Sequence, residues 1–280
     1  MKLQHTHRLL QFALWLAIAG GLPACFEPQE GCLDIAATNF DASADKDCCC
    51  EYPQLILSLD QRFGDPIFLN DSIYLGTDGH PFRIRSIAFY LSDFQLFQNG
   101  NALAVSDTLT LQTFAEAAND TLPTRFTDDF LLVRRTPIDY AVGTFRPDGA
   151  FERVRFRLGL SAAAQRVVPS LAPTSHPLYL QSDSLWAGRD EGFVWLQAVV
   201  LRDTAAATLP DTLRLTRADV GDFFVDATNT FQHATGYNFR LALRADYQKL
   251  FDGLNWTAHD IPAWKAQMVA NLPTVLSVSQ

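Results

Sequence analysis

Histidine is scarce in this chain of 280 residues, six in all, so each one can be weighed by its neighbours. His80 sits in a turn, Asp78-Gly79-His80-Pro81, and His259 stands ahead of a helix in Ala258-His259-Asp260. His176, in Ser175-His176-Pro177-Leu178, and His233 remain as candidate ligands. No two of these four are spaced at i, i+2 or i, i+4. No local metal clamp can therefore be read, and a site would have to be assembled from distant segments. The five cysteines are Cys25, Cys32, Cys48, Cys49 and Cys50; the long remainder of the chain uses neither disulfide nor thiolate chemistry. Carboxylate pairs such as Asp128-Asp129 and Asp190-Glu191 fall in polar loops and read as solvated faces. There is no G-x-S-x-G elbow and no phosphate-cradling glycine loop, so hydrolase and nucleotide chemistry have no motif behind them.

The elements that must position these residues begin with an address. Residues 1–24 read as a bacterial export signal: Lys2 and Arg8 give the positive end, and Leu9 to Leu22 is nearly all apolar. Leu22-Pro23-Ala24-Cys25 resembles a lipobox, which makes Cys25 the lipidated residue and anchors the exported chain to a membrane, on the periplasmic side or at the outer membrane and cell surface. Formal net charge is −9, and no cluster of Lys and Arg offers a groove for nucleic acid. Apolar residues at 48% and charged residues at 19% exclude wholesale disorder. No apolar run after the N-terminus reaches the ~18 residues of a membrane span.

Residues 25–53 form a Cys- and Asp-rich spacer. Gly31 to Cys48 resembles a short module of secreted bacterial proteins, carried here by Cys32, Asp34, Ala37, Asn39, Asp41, Ala44 and Asp47. Outside the cytoplasm, Cys32 is expected to pair with one of Cys48, Cys49 and Cys50. A thiolate metal site in the triplet is the sharper alternative, without a neighbouring histidine or C-x-x-C spacing to support it. Asp41, Asp45 and Asp47 offer hard oxygens for Ca²⁺, against the plainer reading of a polar, disulfide-closed spacer.

From residue 54 to 280 the pattern is strands. Val154, Phe156, Leu158 and Leu160 alternate with Arg153, Arg155 and Arg157, and this period of two marks a half-buried strand. Phe239, Leu241 and Leu243 alternate with Arg240 and Arg244 in the same way. Between Ile84 and Phe97 the parity changes, which predicts a bulge or corner near Ser92-Asp93. Phe193 to Leu201 reads as a central strand. Ala245 to Phe251 and Pro262 to Ala270 read as short helices. Turn signals such as Asn99-Gly100 separate the pieces. The fold class expected is all-β, an antiparallel β-sandwich with short C-terminal helices.

A series of segments in order carries a family resemblance: Phe63-Gly64, Phe89-Tyr90-Leu91-Ser92, Phe156-Arg157-Leu158-Gly159-Leu160, His176-Pro177-Leu178, Trp186, Gly192-Phe193, His233 and Asp246-Tyr247-Gln248-Lys249-Leu250-Phe251. Together they resemble the MbnP-like family, copper-binding partner proteins encoded with methanobactin and related exported lipoproteins, over roughly residues 54–275. The resemblance implies a β-sandwich without catalytic residues. It also implies a copper site using His176 and His233, with Trp186 near it at the position a diheme partner enzyme oxidises in characterised members. Imidazole suits either copper oxidation state. The chain departs from the pattern at Leu185, Gly188 and the stretched His233-Ala234-Thr235-Gly236. A second class of function is a surface adhesion or carbohydrate-binding module without metal, for which Trp186, Trp256 and Trp264 are candidate platform residues. Replacing Cys25 by Ser is expected to move the protein from the membrane to the soluble fraction, as read by fractionation of expressing cells; retention in membranes would remove the anchor.

Overall fold

The computed structural model describes residues 27–115, 120–180, 185–204 and 208–280. The export signal, Leu22-Pro23-Ala24 and Cys25 lie outside the described residues. Two short strands, β1 (Glu30–Gly31) and β2 (Lys46–Asp47), pair in the N-terminal module. The main domain then runs β3 (Gln54–Arg62), β4 (Ile73–Leu75), β5 (Pro81–Gln98), β6 (Asn101–Leu103), β7 (Thr108–Phe114) and β8 (Thr121–Thr127). It continues with β9 (Leu131–Val133), β10 (Asp139–Thr144), β11 (Gly149–Leu158), β12 (Leu196–Leu201) and β13 (Asp211–Leu215). The last strands are β14 (Phe224–His233), β15 (Phe239–Asp246) and β16 (Leu276–Ser279).

A four-stranded sheet, β10-β3-β15-β16, faces a larger one ordered β13-β12-β5-β11-β14. This is the expected all-β sandwich, antiparallel but for one pair: β3 and β15 run parallel, with Phe239 opposite Leu55. Alternation alone does not distinguish the two directions, because a strand covered on both sides buries similar residues either way. β12 lies between β13 and β5, as its apolar run predicts, although sheet pairing begins at Leu196 and leaves Phe193 to Trp195 as a buried approach.

β5, 18 residues long, is the spine of the larger sheet. It pairs with β11 and β12 and also with β4, β6 and β9. Asp93 adopts φ 56°, and the register with β11 slips between Arg155 and Arg157 at that point. The bulge resets parity as the sequence predicts: Ile87, Phe89 and Leu91 before it and Phe94 and Leu96 after it are all buried. Asn99 and Gly100, both at positive φ, close the tight turn from β5 into β6.

Two helices follow β15. Asp246 caps Tyr247–Leu250 by accepting from the Gln248 N–H. Ile261–Val275 is longer than expected and leads directly into β16. It buries its own Trp264 against Trp256, and the two are 2% and 0% exposed; Trp256 stacks on Phe82 at 3.9 Å. Both are core residues, so the aromatic platform expected of a carbohydrate-binding module is missing two of its three members.

Cys32 is bonded to Cys50, with Cys48 and Cys49 free. The module does not stand apart from the sandwich. A Cβ at Gly236, in the turn between β14 and β15, would lie 3.2 Å from the carbonyl oxygens of Ile35 and Ala37, and Arg146 lies over the Tyr52 ring at 3.2 Å.

Gly159 ends β11 at φ 99°, where a Cβ would meet the Trp195 ring at 2.0 Å. Its N–H donates to Tyr90 O and its carbonyl accepts from Ser92 Oγ, so the backbone cannot back away. Gly159→Ala is expected to lower stability by roughly 3 kcal/mol, the upper end of overpacking costs. Gly79→Ala, at φ 76° with nothing within 4 Å, should cost only the left-handed penalty of about 1 kcal/mol. Denaturant midpoints of the two variants check the order.

Candidate functional site

His176 is 6% exposed, in the loop between Pro173 and Leu178. The loop is a tight turn: His176 N–H donates to Pro173 O, and Tyr179 N–H donates to His176 O. The Leu178 N–H donates to His176 Nδ1 at 3.1 Å, while Nε2 lies 3.3 Å from Asp128 Oδ1. Since Nδ1 accepts, a neutral ring carries its proton on Nε2 and points it at the carboxylate. The ring meets Phe130 edge-on at 5.6 Å. His176 and Asp128 open onto a cleft of about 540 Å³ that Asp107, Tyr140 and Gly143 also line. A larger groove of about 1140 Å³ runs past Arg166, Arg189 and Asp222. Its charged groups are largely engaged in the fold: Arg166 donates to Phe114 O, Arg189 to Ala115 O, and Asp222 pairs with Arg157. The smaller cleft is therefore the better candidate.

His233 closes β14 opposite Gly149 and is 4% exposed. Nδ1 lies 2.5 Å from Pro147 O, and Nε2 lies 2.7 Å from Tyr237 O. Its face stacks on Phe239 at 4.9 Å and 14°. The ring clips the turn that carries the chain from the larger sheet to the smaller one. The neighbouring Thr235 Oγ1 donates to Asp148, beside Pro147 in the connection from β10 to β11.

Trp186 is half-buried, paired in an isolated bridge with Phe193. Its ring meets Phe193 at 4.9 Å and stacks on Phe114 at 6.1 Å. Trp186 and Phe130, the contact of His176, border one apolar cluster that also holds Tyr90, Leu178 and Phe193. Phe239, the contact of His233, belongs to the main core between the sheets. Among the described residues no hydrogen bond or ring contact joins His176 to His233.

The fit to copper follows from lone pairs. A neutral imidazole has one to give a metal. That of His176 accepts from Leu178 N–H, and both nitrogens of His233 face carbonyl oxygens, which only accept. As placed, the two histidines do not make a copper site. Among the described residues, three metal-ligating atoms come together at Cys32, Asp47 and Cys50, within 4.8 Å, and the two sulfurs are bonded to each other.

Asp129 corrects the reading of Asp128-Asp129 as a solvated pair. Asp128 faces the cleft, but Asp129 turns inward, is 2% exposed, and accepts the Phe94 N–H at 2.7 Å. Phe94 follows the β5 bulge, so this carboxylate replaces a ladder acceptor. Burial pushes its pKa up to about 7, with the nearby Asp93 charge adding to the shift and the Phe94 N–H opposing it. The one signal in the sequence was the apolar run Phe130 to Val133 immediately after it.

A two-sheet sandwich with a kinked central strand, a buried histidine loop opening on a cleft and a disulfide module at its N-terminus defines the class. The chain belongs to the MbnP family, whose model matches residues 52–268. It is similar to MbnP from Methylosinus trichosporium, at 13% identity and a TM-score of 0.40, over 80% of this chain and 97% of that one. No curated protein matches it.

Asp129 gives a pH prediction. Its folded pKa lies above the ~3.9 of an unfolded aspartate, so folding takes up a proton between those values. The stabilisation is complete below pH ~4 and lost as pH rises through about 7. Relative to Asp129→Asn, which keeps an acceptor for Phe94 N–H without charge, the wild type should lose stability steadily from pH 4 to 7 and then level off. Thermal melts of both across that range check it, and parallel curves would refute it.

Proposed function

We propose that this MbnP-family chain is an exported, non-enzymatic binding protein, lipid-anchored through Cys25 to the periplasmic side of a membrane or at the outer membrane, and that it binds copper. The observation that carries the reading is the family match across residues 52–268. The cleft at His176 gives a cation an entrance lined by Asp107 and Asp128, with Arg134 also on its wall. His176 is the ligand to test first: copper at its Nε2, which faces a half-exposed carboxylate at that cleft, requires the ring proton to move to Nδ1 and the Leu178 N–H bond to open, whereas the His233 ring is shut between two carbonyls and an aromatic face. Trp186, half-buried against Phe114 and Phe193, is the residue a diheme partner enzyme would modify. Nothing in the charge pattern favours nucleic acid as a partner.

The test is the copper content of the protein exported from copper-supplemented cells, measured by plasma mass spectrometry for the wild type and for His176→Ala. Stoichiometric copper in the wild type and its loss from the variant are expected. A metal-free wild type overturns the reading, and unchanged copper in the variant removes His176 from the site.

A further inference from the structure

Three arginines stand at alternate positions on the face of β11 turned away from the core, Arg153, Arg155 and Arg157, and they are not equally engaged. Arg157 is fully used: Nε donates to Asp93 at 2.6 Å and Nη1 to Asp222 at 2.7 Å. Arg153 and Arg155 share one carboxylate, Asp226, at 3.9 Å and 3.7 Å, beyond hydrogen-bond reach. The Nε of Arg155 is buried without a partner, and its guanidinium makes no hydrogen bond among the described residues. An aromatic ring holds it instead, Phe224 at 4.2 Å. That contact uses the flat face of the guanidinium and leaves the N–H groups along its edge free.

Beside Arg155 lies a cleft of about 300 Å³, with Gln95, Thr127 and Asp129 on its wall and Phe94 and Phe224 closing it. Gln95 is the direct partner of Arg155 across β5 and β11, so their side chains stand on one face about 5 Å apart at Cβ. Thr127 is exposed at the end of β8. Two carboxylates reach the cleft, and both are occupied. Asp93 is held by Arg157, and Asp129 accepts the Phe94 N–H; burial also keeps the acid form of Asp129 populated near neutral pH. The His176 cleft is a different one. Thr127 and Asp129 line the cleft at Arg155, whereas Asp128 and Phe130 line the cleft at His176, so one short segment separates the two.

We propose that the cleft at Arg155 binds a small organic carboxylate, gripped by the edge of the guanidinium with Gln95 and Thr127 as further donors. The planar guanidinium fork matches the two oxygens of a carboxylate. Phe224 holds that fork in place before the ligand arrives, so little of its freedom is lost on binding. The volume is at the lower end of ligand pockets, which suits a compact acid and not a polymer.

This site is independent of the copper reading, and either can fail alone. The exported full chain is titrated by calorimetry at near-neutral pH and physiological salt with acetate, lactate, succinate and citrate, and with succinamide as the uncharged control. At least one acid is expected to bind with a Kd below about 1 mM, and succinamide not to bind. Arg155→Lys keeps the charge but not the fork and should weaken binding by roughly tenfold or more; Gln95→Ala should weaken it severalfold. Arg85→Lys, at an arginine that also lies 3.7 Å from its aspartate but outside the cleft, should leave binding unchanged. Thermal melts establish that each variant is folded, and if Arg155→Lys is not, Gln95→Ala decides. Failure of all four acids to bind, succinamide binding as well as succinate, or wild-type affinity in the folded variants of the cleft would overturn the site.

Discussion

The larger sheet depends on the mismatch at Asp93. An 18-residue strand that served five partners without interruption would turn half its apolar side chains to the wrong face. One extra residue lets the segments before and after the bulge both face the core. The bulge removes a ladder acceptor from Phe94 N–H, and a buried unpaired donor costs roughly 1–3 kcal/mol. Asp129 supplies the missing acceptor. Arg157 pairs with Asp93 at 2.6 Å, and Ser92 Oγ holds the carbonyl of Gly159. Charged and polar groups gathered there are the supports of a strand that changes face.

From that bend follows the division of the interior. Residues of β5 directed between the sheets join the main core, whereas Tyr90 points the other way into a second apolar cluster with Leu132 and Phe193. The two histidines are divided along the same line. His233 is part of the main core's edge and ties the crossing between sheets; His176 touches the second cluster and meets solvent through Asp128. Each ring is a polar clip on an apolar surface, and burial makes its hydrogen bonding necessary. The copper proposal and the hydrogen-bond occupancy thus pull in different directions at these residues.

Much of the fold could be read from the sequence because its information is periodic. The arginine-backed alternation of β11 and β15, the parity change at Ser92-Asp93 and the Asn99-Gly100 turn are local patterns with local causes. The parallel direction of β3 and β15 was not legible, since direction depends on partners distant in the chain. Nor was the burial of Asp129, which is written as one of two adjacent aspartates and separated from its twin only by the way the chain turns into β9. The site was less legible still. Histidine scarcity singled out His176 and His233, but whether a ring nitrogen is free depends on carbonyls and N–H groups that carry no sequence signal. Pairing in the cysteine triplet was similarly open, because three adjacent sulfurs differ by backbone conformation and not by residue type.

The parallel register of β3 with β15 has a consequence in time. The chain is made from its N-terminus, and Leu55 must wait for Phe239. β10 can cover one side of β3 earlier, but its other row of backbone donors and acceptors stays open until nearly the whole domain has been synthesised. Such an edge invites pairing with the wrong strand, and contacts this far apart in the chain slow folding. β3 also carries apolar residues that finish fully buried, Leu55 and Leu57 among them. A nascent chain of this protein therefore has a prolonged interval in which the first strand of the sandwich is open along one edge, and the last strands act as the latch that closes it.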